Sequence, residues 1–134
     1  MDFELIVRDA VADEKIALAL ATAYEVAVEF VDVEEMAHPL PLRAMTKVWC
    51  CRASVPGEFS TFLHIFLCGI IEPDFFATAT KISHALGCDC LVPDDDSPVG
   101  SSMILIRGFD APKKIELITD ENLDDTMYTI ENYE

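Results

Sequence analysis

One segment limits the fold more than any other: residues 72 to 87, EPDFFATATKISHALG. Glu72-Pro73-Asp74 is a helix start, because proline is tolerated in the first turn and acids sit well at the positive end of the helix dipole. Phe75, Phe76, Ala79, Ile82, Ser83 and Leu86 then fall on one stripe, and Gly87 supplies the left-handed residue that stops a helix. A second helical spacing runs from Ala12 to about Tyr24, where Ile16, Leu20 and Tyr24 recur with small alanines between them. Asp9 or Asp13 is placed to cap it. Two helices, about 12–24 and 73–86, are therefore expected.

Everything else that is apolar reads as strand. Residues 3–8, 26–33, 45–54, 59–71, 88–92, 102–107, 114–119 and 127–131 are short, β-branched or aromatic runs bounded by turn residues. His38 to Leu42, HPLPL, is a break, since its prolines fit neither a ladder nor a helix interior. Pro56-Gly57 can close a hairpin between the runs on either side. The order predicts a single α+β domain over residues 1–134, a mixed and mostly antiparallel sheet with the two helices packed on it. A three-layer α/β arrangement is the alternative.

The surface must be strongly acidic. The 134 residues carry a formal net charge of -16, yet half of them are hydrophobic and the mean hydropathy is +0.27. That balance excludes a disordered acidic tail. It also disfavours direct nucleic-acid binding, because phosphates would be repelled. It favours a basic protein partner, whose opposite field speeds encounter. Cys50, Cys51, Cys68, Cys88 and Cys90 are odd in number and lie mostly in apolar runs. They read as buried, reduced thiols of a cytoplasmic protein. The opening MDFELIVRDA has neither the basic start nor the apolar stretch of a signal peptide. The longest apolar run, residues 62–71, is too short to span a bilayer and is interrupted by His64.

Catalytic and metal chemistry find little support. His84, Cys88 and Cys90 form H-x3-C-x-C, but a zinc site needs four tetrahedral ligands and no fourth is apparent. Asp94, Asp95 and Asp96 could attract a hard cation, yet they lack the alternating acids, central glycine and distal glutamate of a calcium loop. Nucleophile elbows, phosphate-cradling glycine loops and H-E-x-x-H are missing from the sequence. His38, His64 and His84 fall on three different elements. His64 reads as a buried, hydrogen-bonded core histidine and His84 as a residue on the polar side of its helix. No enzyme activity, catalytic residue, cofactor or metal is expected.

The acids concentrate late in the chain. Between residues 89 and 125 there are ten acids against three bases, Arg107, Lys113 and Lys114. Several of the acids lie in loops, and Pro93 and Pro98 bracket the aspartate run, which favours a preorganised loop. Asp94, Asp95, Asp96, Asp110, Asp120, Glu121, Asp124 and Asp125 are the expected partner-binding residues, with Glu34 and Glu35 as a second acidic rim. Carboxylates held in such a patch can occupy a groove built for nucleic-acid phosphates.

Residues 79–130 also carry a resemblance. ATKISHALGCDCLVPDDDSPVGSSMILIRG, followed by a strand, LDD and a closing MYTI, resembles small bacterial immunity proteins of polymorphic toxin and contact-dependent growth inhibition systems. The shared features are Leu86, Gly87, the Asp94-Asp95 pair and Pro98. The resemblance implies a cytoplasmic, non-enzymatic protein that neutralises a cognate toxin domain, with no contact residue fixed across such proteins. Together with the charge, it gives the expected function: binding of a basic toxin domain, a nuclease by the phosphate logic, by a chain that is a monomer or weak dimer when free. A structural or adaptor subunit of some other complex is the alternative.

Overall fold

The computed structural model describes residues 2–36, 43–72, 74–94 and 102–116. Its elements are β1 (Asp2–Val7), α1 (Asp13–Tyr24), β2 (Val31–Glu35), β3 (Val48–Ser54), β4 (Thr61–Leu67), α2 (Phe75–Leu86), β5 (Cys90–Pro93), β6 (Ser102–Ile106) and β7 (Lys113–Glu116). The expected α+β class is what the chain adopts: the described strands form one sheet in the order β2-β3-β4-β1-β5-β6-β7. Only β2 and β3 pair in parallel; every other described neighbour is antiparallel.

The mixed character follows from the helices. β1 and β2 run in the same direction, as do β4 and β5, so each pair needs a crossover and each crossover is a helix. Both helices lie on one face, against each other and against Leu5, Val7, Val48, Cys50, Leu63, Ile65, Cys90 and Ile106. From α1 come Ile16, Ala19, Leu20 and Ala23, and from α2 Ala79, Ile82 and Leu86, all buried. Each fully buried Leu, Ile or Val side chain contributes roughly 1.5–3 kcal/mol, and each alanine methyl less. A smaller cluster, Ile6, Phe59, Leu91, Met103 and Leu105, forms on the opposite face under the β3–β4 connection.

The helix ends differ in how far the sequence foretold them. Asp74 is the N-cap of α2, accepting from the amides of Phe76 (3.1 Å) and Ala77 (3.4 Å), so the helix begins two residues after the expected start. Gly87 ends it at φ 67°, with its amide and that of Cys88 bonded back to His84 and Ser83. In α1 neither Asp9 nor Asp13 caps: the N-cap is Ala12, and Asp13 instead pairs with Arg52 on β3 at 2.6 Å. α1 ends the same way as α2, but Glu25 holds the left-handed position, at φ 56°.

Three strand expectations shift. Residues 26–30 are not strand. The chain leaves α1 through the Glu25 turn and a 3-10 turn at Val28–Phe30 before it reaches β2, because it must travel from the helix to the sheet edge. Residues 45–47 precede β3, in a turn closed by Thr46 N–H to the Arg43 carbonyl at 3.1 Å. Of the expected 59–71 strand, residues 68–71 fall outside β4, and so does Phe59, which is nonetheless fully buried as the anchor of the second cluster. The Pro56-Gly57 hairpin joins β3 to β4 as expected. The last expected strand, 127–131, the end of the expected 114–119 strand and the HPLPL break at residues 38–42 lie outside the described residues.

Candidate protein-binding face

Strand alternation sends every second side chain away from the helices, and the register aligns these into rows. One row reads Asp32, Trp49, Phe66, Asp2 across β2, β3, β4 and β1. The next reads Glu34, Cys51, His64, Glu4. Each row begins and ends on a carboxylate. Between them stand the only tryptophan of the chain and two rings of β4, Phe66 and His64, with Phe62 of the next row beside them, all partly exposed. Trp49 and Phe66 lie 5.1 Å apart, Phe66 and His64 4.2 Å, and His64 and Phe62 6.4 Å between ring centroids.

Diagonal hydrogen bonds fix the polar ends. Trp49 Nε1 donates to Glu34 at 3.1 Å, and His64 Nε2 meets Asp2 Oδ2 at 2.8 Å. The His64 bond holds the Asp2 carboxyl below the usual range. Asp32 is already engaged: Arg43 reaches it with Nε at 3.1 Å and Nη2 at 2.5 Å, and the Thr46 hydroxyl donates to it as well. Burial pushes the Asp32 carboxyl up, but the Arg43 and Thr46 hydrogen bonds outweigh it and hold it low. Rings flanked by carboxylates suit a partner surface of Lys and Arg, through stacking, cation–π contact and ion pairing together.

A notch adjoins this face. The ladder between β1 and β5 pairs only Ile6 with Leu91 and Val7 with Cys90 among the described residues. Continued, it would bring Glu4 opposite Pro93, which has no N–H to donate. Beside that level lies a cavity of about 310 Å³, lined by Asp2, Phe3, Glu4, Phe75, Val92 and Pro93. Phe3 and Phe75 stack in parallel with centroids 4.3 Å apart, tying the start of α2 to the start of β1.

The residues expected to bind a partner are only partly placed. Asp94 is turned inward, its side chain 3% exposed. Its Oδ2 accepts from Ser102 Oγ at 3.3 Å and stands 3.8 Å from Lys114 Nζ, so it ties β5, β6 and β7 rather than facing a partner. Asp110 is exposed in the turn after β6, at the opposite end of that strand from Asp94, so these two share no rim. Asp95, Asp96, Asp120, Glu121, Asp124 and Asp125 lie outside the described residues. Of the second rim, Glu34 is on the helix-free face and Glu35 points the other way.

The aromatic row was missed from sequence. The run TFLHIFL is apolar in both phases, so His64 read as core; it is only partly buried and faces away from the helices. The available signal was compositional: Leu63, Ile65 and Leu67 are aliphatic, whereas Phe62, His64 and Phe66 carry rings and a polar group.

The cysteines and His84 do not assemble, and His38 lies outside the described residues. All five cysteines are free; Cys50, Cys51 and Cys90 are buried, while Cys68 and Cys88 are only partly so, short of the full burial expected. Cys88 precedes β5 instead of sharing its face with Cys90, because its amide closes the α2 terminus. Burial pushes the Cys50 and Cys90 thiols far up. His84 is exposed, as expected, and packs on Phe109 at 4.5 Å. Among the described residues no three His, Cys, Asp or Glu side chains are grouped to hold a metal, and no helix is long and apolar enough to cross a membrane. No protein-family model, curated protein or solved structure matches the chain.

Proposed function

We propose that this chain is a non-enzymatic immunity protein that binds and neutralises a basic toxin domain, a nuclease, in the cytoplasm. The observation that carries the reading is the helix-free face, where Trp49 and Phe66 in one row and His64 in the next stand between carboxylates. The charge balance supports it. Arg43, Arg52, Arg107 and Lys114, four of the nine cations counted in the net charge of -16, stand beside Asp32, Asp13, Asp89 and Asp94 and so do not form a basic patch of their own. Residues 117–134 add six acids and no base, and Asp95, Asp96, Asp120, Glu121, Asp124 and Asp125 add to the negative charge that would draw a basic partner. Five free thiols favour a reducing compartment. The test is co-expression: the protein domain encoded immediately upstream is induced in cells with and without this chain. Killing by that domain and survival with the chain support the proposal. A harmless neighbour, or killing regardless of the chain, overturns it.

A further inference from the structure

We infer that the notch between β1 and β5 receives an extended basic segment of the partner, with a Lys or Arg side chain seated between the Asp2 and Glu4 carboxylates. The inference rests on the reading of a basic protein partner and adds where its principal contact falls. Three features of the fold converge on it.

The first is an interrupted ladder. Arg8 N–H bonds the Asp89 carbonyl at 3.0 Å, and Ile6 pairs with Leu91, so alternation turns the backbone groups of Glu4 and Asp2 towards the same side. Across from Glu4, β5 offers Pro93, which cannot donate to the Glu4 carbonyl. An incoming extended backbone can supply what proline does not, which is the logic of strand addition. The second is the cavity, whose volume of about 310 Å³ admits a long side chain. Phe3 and Phe75 line it, and their stacked rings offer an apolar surface to the methylene stem of Lys or the plane of Arg. The third is charge. Asp2 and Glu4 are both exposed and both line the cavity, and Glu4 lies directly across the ladder from His64 within the aromatic row. A cation entering here meets carboxylates first and aromatic carbon behind them, whereas an acidic or phosphorylated segment would be repelled.

The experiment is an amide NMR titration of the full chain with a hexa-arginine peptide, with hexa-glutamate as the control. The parent is compared with Glu4→Lys, Glu4→Gln and Glu14→Lys. Glu14 is an exposed acid at the start of α1, beyond the far end of β1, so the two Lys variants change the net charge equally. The expected result is saturable shifts centred on Asp2 to Leu5 and Val92. Glu4→Lys then weakens binding about tenfold, Glu4→Gln less, and Glu14→Lys by no more than about twofold. Shifts spread over the whole acidic surface, or equal weakening by both Lys variants, overturn the inference. So do shifts at the same amides on concentrating the chain alone, which would seat a second copy there. The co-expression assay separates the two proposals. If the parent fails to rescue but the peptide still titrates into the notch, only the immunity reading falls. If Glu4→Lys rescues and binds the toxin domain as the parent does, only the notch falls.

Discussion

Ser83→Ala is the substitution whose cost can be worked most fully from the structure. Ser83 is 2% exposed on the inner side of α2. Its hydroxyl lies 2.7 Å from the Cys88 carbonyl and 3.3 Å from that of Ile106, and it accepts the Gly108 amide at 2.9 Å. A hydroxyl has one proton to give, so it donates to one carbonyl, the nearer being that of Cys88, and still accepts from Gly108. One side chain thus joins the end of α2, the start of β5 and the turn after β6. Alanine orphans the Gly108 N–H, at roughly 1–3 kcal/mol, and removes a bond of about 1 kcal/mol at Cys88. The better helix propensity of alanine returns less than about 0.7 kcal/mol. A net loss of about 2 kcal/mol is expected, a large share of a stability of roughly 5–15 kcal/mol. Equilibrium urea unfolding reads it as a midpoint shift of about 1 M with an unchanged slope. Thr22→Ala is the control, because its hydroxyl also bonds a helix carbonyl, at 2.9 Å, but on an exposed surface. It should shift stability by less than about 0.5 kcal/mol. If Ser83→Ala cost no more than Thr22→Ala, the hydroxyl would not be joining these elements.

Further outcomes concern other parts of the molecule. Glu25→Gly should stabilise by about 0.5–1 kcal/mol in the same urea assay, because Glu25 sits at φ 56° where glycine has no steric penalty. The folded Asp32 carboxyl titrates below its ordinary value, so its stabilising effect is fully present above the unfolded pKa of about 3.9 and is lost as pH falls through the folded one. Asp32→Asn should therefore lower the urea midpoint near neutral pH and flatten its fall in acid. Thiol labelling of the native protein should modify Cys68 before Cys50 and Cys90, which are fully buried and whose thiols burial pushes far up. Rapid labelling of Cys50 would contradict its place beneath the helices.

How much was legible depended on whether a residue's role was local. The period of α2, its glycine stop and the Pro56-Gly57 hairpin are set by neighbours in sequence, and each appears where the pattern puts it, save that Phe76 of the expected stripe is exposed. The stripe also placed Ser83 on the buried side, but its partners at Ile106 and Gly108 lie more than twenty residues away and no spacing reveals them. Val26, Val28 and Phe30 alternate like a strand, yet the chain uses that length to turn from α1 towards the sheet edge. The parallel β2–β3 pair likewise depends on where the α1 crossover lands. For the candidate site, charge pointed to a basic partner. It pointed first to acids late in the chain, of which Asp94 is consumed by Ser102 and Lys114. The rows through Trp49, Phe66 and His64 exist only once four strands are in register, and Asp2 and Glu4, from the start of the chain, become neighbours of β5 only through the fold.

The most direct test of the central claim is the association rate between this chain and the domain encoded immediately upstream, the proposed toxin, followed by stopped-flow fluorescence of Trp49 as ionic strength is raised. A partner steered to an acidic face should associate at least about tenfold more slowly at about 0.5 M salt than at about 0.05 M, as screening shortens the reach of the field. A rate that holds constant across that range would contradict the account.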